Sequence, residues 1–93
     1  MKTLTAQMSS DGSAWRLYVV LYGETEWPTV RWEGPRPVPT VAERRHALAG
    51  LGYEVAPGTQ WSWTEDSRDP EDDSTPVLLI AAVGVREREG GAA

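Results

Sequence analysis

The chain has 93 residues, of which 40% are apolar, 9 are Lys or Arg and 14 are Asp or Glu. This length supports one hydrophobic core, and the lack of cysteine excludes disulfides, thiolate nucleophiles and cysteine-based zinc sites. Residues 65–73 carry six acids and one arginine, so the whole net charge of −5 lies in this segment. The remainder is balanced, which argues against a basic surface for nucleic-acid phosphates.

The first part of the chain is predicted to form strands joined by a tight turn. Residues 3–8 alternate polar and apolar side chains, which predicts a strand. Residues 9–13 contain Asp-Gly, which is typical of a hairpin turn. Residues 15–22 are rich in aromatic and β-branched types and predict the clearest strand. A weaker strand is predicted over 27–32, where Pro28 indicates a sheet edge.

A helix is predicted after the proline-rich segment 34–39, which cannot form regular structure. Thr40 and Glu43 have the spacing of a capping box, in which each satisfies a free amide of the other at a helix start. We expect the helix to run from about 41 to 51 and to stop at Gly52.

Two further strands are predicted after the helix. Trp61 and Trp63 alternate with polar residues, which predicts a strand over 60–65. An acidic loop from Glu65 to Pro76 follows, without regular structure. Residues 77–85 are apolar on both faces and therefore predict a central strand.

The order β-β-(β)-α-β-β predicts an α+β fold: a mostly antiparallel sheet of four to five strands with one helix packed on one face. We expect a single domain over 1–87 and a frayed tail over 88–93. The N-terminal residues contain no apolar run of signal-peptide length, and the longest apolar stretch is too short to span a bilayer. Because small secreted domains commonly rely on disulfides, we expect a cytoplasmic protein.

Both strong strands are apolar on both faces, but one short helix can cover only one face of the sheet. The other face would expose a contiguous apolar patch, which usually marks an interface. We predict that it binds a protein partner or a second copy, with a twofold homodimer as the simplest version. The alternatives are a strongly curled sheet or a cover formed by 34–39. The predicted interface residues are Tyr18, Val20, Tyr22, Leu78 and Ile80.

The acidic loop is the most distinctive segment, and long loops in compact domains are often functional. It could dock an arginine-rich partner or imitate DNA phosphates. A weak Ca²⁺ site is disfavoured because the segment lacks the alternating ligands and glycine of an EF-hand loop. The alternative is a solvated, solubilising loop. The candidate residues are Glu65, Asp66, Asp69, Glu71, Asp72 and Asp73.

The five tryptophans could serve either to fill the core or to bind a ligand. Trp15, Trp61 and Trp63 are expected in the core, because alternating tryptophans on a half-buried strand usually pack inward. Trp27 and Trp32 could instead form an aromatic pocket for a cationic or sugar-like ligand, with a carboxylate nearby.

Arg44 falls in the middle of the predicted apolar stripe of the helix. We expect it to pair with a carboxylate such as Glu24, Glu26 or Glu33. The alternative is that it binds an anion.

No phosphate-binding loop, dinucleotide fingerprint, nucleophile elbow or zinc-protease motif is present in the sequence. Nothing singles out a pair of carboxylates for acid–base catalysis. We therefore expect a protein that is not an enzyme and that uses no metal or cofactor.

The chain resembles a family of short, uncharacterised actinobacterial proteins on four segments: WRLYVVLYG, PVPTVAERRHALAGLGY, WSWTEDS and STPVLLIAAV. The resemblance covers most of residues 15–85. It implies a bacterial cytoplasmic origin and brings with it no activity, cofactor or catalytic residue.

The leading hypothesis is a small interaction module that self-associates or docks a protein partner through the second sheet face, with the acidic loop tuning specificity. A second hypothesis is an acidic inhibitor, of antitoxin or DNA-mimic type, acting through 65–73 on a basic target. A third is a small-ligand binder that uses Trp27 and Trp32. Direct nucleic-acid binding and membrane binding are not expected.

Overall fold

The computed structural model describes residues 3–10, 13–34, 36–67, 69–75 and 77–88. The described chain forms a mostly antiparallel sheet with one helix, so the predicted α+β class is confirmed. Most of the predicted tail over 88–93 lies outside the described residues. The elements are β1 (Leu4–Ser10), β2 (Ala14–Val20), β3 (Thr29–Glu33), α1 (Val41–Leu51), β4 (Tyr53–Val55), β5 (Ser62–Ser67) and β6 (Val77–Glu87).

The strands form one curled, half-barrel sheet in which every pairing is antiparallel. Its order is β3-β2-β1-β6, and β4 and β5 lie one after the other along the outer edge of β6. The sheet is therefore at most five strands wide although it is built from six. β4 is the strand that the sequence pattern did not predict.

The segment 56–61 leaves the sheet between β4 and β5 and returns to it. Val55 pairs with Val85 and Ser62 with Ala82, so this segment bulges out opposite Gly84. The Gly84 carbonyl accepts hydrogen bonds from the Ala56 amide at 2.9 Å and the Thr59 hydroxyl at 3.0 Å. A Cβ on Gly84 would lie 2.8 Å from Cγ2 of Thr59, so a larger residue here would force Thr59 to shift.

The helix α1 has the predicted bounds and the predicted capping box. The Glu43 amide donates to the Thr40 hydroxyl at 3.1 Å, and the Thr40 amide donates to the Glu43 carboxylate at 2.8 Å. Gly52 ends the helix in the left-handed region, with φ of 93°. A purely local sequence motif therefore fixes both ends.

The core lies between α1 and the concave face of the sheet. Leu48 is fully buried on the helix, and Met8 and Leu17 are fully buried on paired strands. The opposite, convex face carries the alternate residues of each strand. The buried core comprises Ala6, Met8, Trp15, Leu17, Val19, Ala47, Leu48, Ala81, Val83 and Val85.

The hairpin formed by β5 and β6 extends past the end of β1. β1 pairs with β6 only from Ile80 to Val85, whereas β5 continues to pair with β6 as far as Val77. The outer part of the hairpin therefore has two strands. We call residues 65–67, 69–75 and 77–79 the distal hairpin.

The prediction that the acidic segment lacks regular structure is wrong for 65–67, which belong to β5. Residues 69–75 form consecutive turns, with the Asp72 amide bonded to the Asp69 carbonyl and the Thr75 amide to the Asp72 carbonyl. The Ser67 and Thr75 hydroxyls lie 2.9 Å apart and close the hairpin end. Hydroxyl and carboxylate side chains thus replace the strand ladder here.

The one helix of the described chain has 11 residues. Within those residues, no helix is long and apolar enough to cross a membrane.

Candidate functional site

The predicted interface residues do not form one contiguous patch. β1 lies between β2 and β6, so Gln7 separates Tyr18 from Ala82 and Ser9 separates Arg16 from Ile80. The Tyr18 hydroxyl donates to the Gln7 side chain at 3.0 Å, which further occupies the gap with polar contacts. Only the strand order reveals this polar row.

The five residues fall into three places. Tyr18 and Val20 are half-buried on β2. Tyr22 lies beyond the end of β2 and is almost fully exposed. Leu78 and Ile80 lie together on β6, where Leu78 is exposed and Ile80 half-buried. Leu78 therefore belongs to the distal hairpin, and Ile80 directly follows it on the same face of β6.

Trp27 and Trp32 do not share a pocket, contrary to the prediction. Trp32 pairs with Trp15 and packs against the core on the concave face. Trp27 stacks on Tyr18 of the convex face, with ring centroids 5.8 Å apart. Trp27 and Trp32 are five positions apart, and an odd offset along a strand already favoured opposite faces.

An aromatic groove nevertheless exists on the convex face, around Tyr18 and Trp27. Trp27 is held in place because its indole nitrogen donates to the Leu21 carbonyl at 2.9 Å. The Thr29 hydroxyl donates to the Trp27 carbonyl, also at 2.9 Å. The groove is open, has a volume of about 450 Å³, and is lined by Ser9, Arg16, Tyr18, Glu24, Thr25, Trp27 and Thr29.

The six acidic candidates divide into two groups of three. Asp66, Asp69 and Asp72 accept hydrogen bonds from backbone amides one or two residues ahead and so stabilise the turns. The Ser74 hydroxyl and amide hold the pKa of Asp72 below its ordinary value. Glu65, Glu71 and Asp73 are exposed, and their carboxylates have no hydrogen-bond or ion-pair partner among the described residues.

The distal hairpin also exposes large apolar side chains beside these free carboxylates. Val77 is 54% exposed and Leu79 is 43% exposed, and both project from the concave side of β6. Trp63, at the base of the hairpin on the same side, is 41% exposed rather than buried in the core as predicted. β1 ends before it reaches Val77 and Leu79, so no neighbouring strand of the described chain covers them on that side.

Arg44 is the one buried charged residue in the described chain, with 7% of its surface exposed. Burial lowers the pKa of its guanidinium from its ordinary value, although an arginine stays charged in proteins. Its Nε donates to the Pro39 carbonyl at 2.9 Å. The guanidinium carbon lies 4.9 Å from the ring centroid of Trp61 and 5.6 Å from that of Trp63.

The expected pairing of Arg44 with a carboxylate is wrong. Within the described residues, the ion pairs join Arg31 to Glu33, Arg36 to Glu43, and Arg86 to Glu54. Trp63 in turn packs edge-on against Trp15 at 6.2 Å. Arg44 therefore lies in a cluster of tryptophans, whose ring faces attract cations.

The described residues contain no group of three His, Asp or Glu side chains placed to hold a metal ion. The pKa shifts that they show belong to a helix cap at Glu43, to burial at Arg44 and to a turn at Asp72.

Comparison with known proteins gives a family for the chain. It belongs to the family described as Family of unknown function (DUF6303), which matches residues 2–93. The predicted resemblance to a family without an assigned activity is thereby confirmed, whereas its actinobacterial origin stays a prediction. No curated protein and no solved structure matches the chain.

The sequence pattern did not single out Val77 and Leu79 as binding residues, and it did not predict the contact of Arg44 with Trp61 and Trp63. One available signal was length: the apolar run 77–85 is longer than its partner strand at 3–8, so part of it had to extend past that strand. No comparable signal linked Arg44 on the helix to tryptophans on a later strand.

Proposed function

We propose that this chain is a non-enzymatic interaction module that docks a protein partner through the distal hairpin. The observation that carries the proposal is the exposure of Val77 and Leu79 on one side of a two-stranded projection, with Trp63 exposed at its base. Exposed apolar clusters on a rim of polar residues commonly mark interfaces. Within the described residues β5 pairs only with β6, so its open edge offers backbone groups to an added strand.

The chemistry of the hairpin favours a partner that is apolar and basic. Glu65, Glu71 and Asp73 flank the apolar side chains with negative charge that no described residue neutralises. Complementary charge speeds association and selects partners. A nucleic-acid-binding protein is one class with such a surface, so the acidic-inhibitor hypothesis is a special case of this proposal.

A partner of a different kind is favoured over a second copy. If β5 paired antiparallel with β5 of another molecule, Glu65 and Asp66 of both copies would lie within a few residues of one another. Like charges that face each other across strands are destabilising, and charged edge strands discourage such pairing.

The absence of an enzymatic role is also part of the proposal. The shifted pKa values arise from a helix cap, from burial and from a turn, rather than from two titratable groups that face a common cleft. The cysteine-free composition supports placing the interaction in a reducing cytoplasm.

The test compares two variants that lose the same charge. The hairpin variant carries Glu65→Gln, Glu71→Gln and Asp73→Asn, which removes no hydrogen bond of the turns. Its matched control carries Glu24→Gln, Glu26→Gln and Glu87→Gln, three exposed carboxylates elsewhere on the described surface. A third variant carries Val77→Ser and Leu79→Ser.

Each protein is used as bait in host cytosol, and a retained protein is identified, purified and titrated against all variants. We expect a basic partner whose affinity falls about tenfold or more for the hairpin variant and further for the serine variant. The affinity for the control is expected to be unchanged. Binding should weaken with added salt. Equal binding to all four proteins would rule out the distal hairpin as the docking surface.

A second candidate function is small-ligand binding in the groove of Tyr18 and Trp27. The specific observation is a stacked aromatic pair fixed by hydrogen bonds, beside the exposed carboxylate of Glu24. Such a platform suits a quaternary ammonium ion or a sugar ring. Tryptophan fluorescence titrations with tetramethylammonium and with simple saccharides test it, and Trp27→Ala is expected to abolish any response. A response that survives this substitution would place binding elsewhere.

A further inference from the structure

Arg44 is a buried cation for which the described residues supply no counter-ion. Its hydrogen bond goes to the neutral Pro39 carbonyl, and its other close neighbours are the rings of Trp61 and Trp63. A buried charge normally has a partner of opposite charge, because removing it from water is costly. Cation–π contacts offset part of this cost but satisfy no hydrogen bond.

The free end of the guanidinium is accessible. Only Nε of Arg44 donates a hydrogen bond within the described residues. Every fully buried side-chain nitrogen or oxygen among them has a partner. The two Nη atoms therefore reach accessible space, although the residue as a whole is nine-tenths buried. Two donors without a protein partner among the described residues therefore lie beside the rings of Trp61 and Trp63.

The surroundings select the class of anion. Two parallel N–H donors match the two oxygens of a carboxylate. The nearby surface that is open to solvent is apolar, since Trp63 and Leu79 lie exposed on the same side of the hairpin. An inorganic anion would leave this apolar surface unused, whereas a carboxylate with an apolar substituent would cover it.

We propose that Arg44 and its tryptophans form a binding site for the carboxylate of an amphiphilic acid, whose apolar part lies over Trp63 and Leu79. The carboxylate could belong to a small organic acid or to the C-terminus of a peptide, and the two share the same chemistry at Arg44. The inference does not rest on docking of a protein partner by the distal hairpin.

The charge of Glu65 distinguishes binding of an acid at Arg44 from docking of a basic protein. It follows Trp63 on the same face of β5 and is exposed, so its charge opposes an incoming carboxylate. Glu65→Gln is therefore expected to strengthen binding of an acid, whereas it weakens docking of a basic protein. The two proposals can fail independently of each other.

The first experiment uses the wild-type chain and two matched pairs of probes. Phenylbutyrate is compared with phenylbutyramide, and the peptide acetyl-Leu-Leu-Phe with a free C-terminus is compared with its amide. Binding is followed by tryptophan fluorescence and by the NMR signals of the Arg44 Nε–H and the indole N–H groups. We expect the acid of at least one pair to bind roughly 10- to 100-fold more tightly than its amide.

The response of each pair identifies the source of the carboxylate. Preference for phenylbutyrate indicates a small acid, and preference for the peptide acid indicates a chain terminus. Inorganic phosphate at equal ionic strength serves as a third probe. Equal binding of acid and amide in both pairs, or tighter binding of phosphate, would overturn the proposal without any variant.

The second experiment substitutes Arg44 and its neighbour on the helix. Arg44→Met is expected to abolish the preference for the acid, and Arg44→Lys to reduce it, because an ammonium lacks the planar fork. Arg45→Met is the matched control, since Arg45 is exposed and loses the same charge. An unchanged preference in Arg44→Met would show that the carboxylate binds elsewhere. If that variant fails to fold, Arg44→Lys and the two pairs of probes still show whether the carboxylate binds at Arg44.

Discussion

The strand β6 crosses two regions of the molecule that use similar side chains in different ways. Under α1, Ala81, Val83 and Val85 are buried, and neighbouring strands lie on both sides. In the distal hairpin, Val77 and Leu79 are of the same chemical kind but are exposed, because β1 ends before it reaches them. Burial here depends on a neighbouring strand rather than on the apolar character of the residue.

This difference separates residues that stabilise the fold from residues that do not. Burying an aliphatic side chain contributes about 1.5–3 kcal/mol. Val77 and Leu79 gain only a fraction of that in the isolated chain, because about half of each stays in water. The apolar area of the distal hairpin is thus available for binding.

The largest effect is expected from leucine truncation in the two regions. Leu17 is fully buried on β2, so Leu17→Ala should lower the free energy of unfolding by about 2–5 kcal/mol. Leu79→Ala, the matched change in the distal hairpin, should lower it by no more than about 1.5 kcal/mol, because only about half of this side chain is buried. Urea unfolding measures both. A loss above 2 kcal/mol for Leu79→Ala would show that the hairpin belongs to the core.

An intermediate effect is expected at Gly84, which lies between the buried Val83 and Val85 in the region under α1. Its added methyl group in Gly84→Ala would press on Cγ2 of Thr59, whose hydroxyl is held by the carbonyls of Ala56 and Gly84. We expect a loss of about 1–3 kcal/mol in the free energy of unfolding.

Two further variants test whether the contact with Thr59 causes this loss. Adding Thr59→Ser removes Cγ2 but keeps the hydroxyl, and should recover part of the loss. Gly50→Ala meets nothing within 4 Å and should be neutral or stabilising, since alanine favours the helix. If Gly84→Ala were as stable as the wild type, the close approach of 56–61 to β6 would be disproved.

The smallest effect is expected from acid, and it differs between the regions. The Thr40 amide, and then Arg36, hold the pKa of Glu43 below its ordinary value of 4.5. The Ser74 hydroxyl and amide hold the pKa of Asp72 below 3.8. A lowered pKa in the folded state stabilises the fold above the ordinary value, and this contribution is lost as pH falls through the folded pKa.

Glu43→Gln is therefore expected to lower the free energy of unfolding above pH 4.5 and to converge with the wild type in acid. Asp72→Asn should leave global unfolding unchanged and instead speed hydrogen exchange of the Ser74 amide, because it removes only a turn contact. Urea unfolding at several pH values and NMR exchange provide the two measurements. A global effect for Asp72→Asn would contradict the separation of the regions.

The sequence predicted the elements whose signals are local. The helix α1 begins at the capping box of Thr40 and Glu43 and ends at Gly52. Both signals lie in or next to the helix, so the sequence predicted its bounds. β4 was not predicted, because Tyr53–Val55 directly follows the helix and becomes a strand only by pairing with β6. Its strand character comes from a distant partner rather than from its own pattern.

The site depended even more on distant contacts. Alternation assigned Tyr18 and Ile80 to the same face, but only the strand order places polar Ser9 and Gln7 between their strands. The helical period correctly placed Arg44 toward the interior. The residues that contact Arg44 could not be predicted, because Trp61 and Trp63 lie on a later part of the chain and approach Arg44 only when the sheet curls.

The position of β1 in the sheet has a consequence for the order of folding during synthesis. β1 pairs with β2 at once, but its other edge is completed only when β6 arrives, with Leu4 beside Val85 and Ser9 beside Ile80. Until residue 85 has left the ribosome, the emerging chain presents an open, partly apolar edge. Such long-range pairing slows folding and exposes nascent chains to aggregation, so the edge of β1 stays open until β6 has been synthesised.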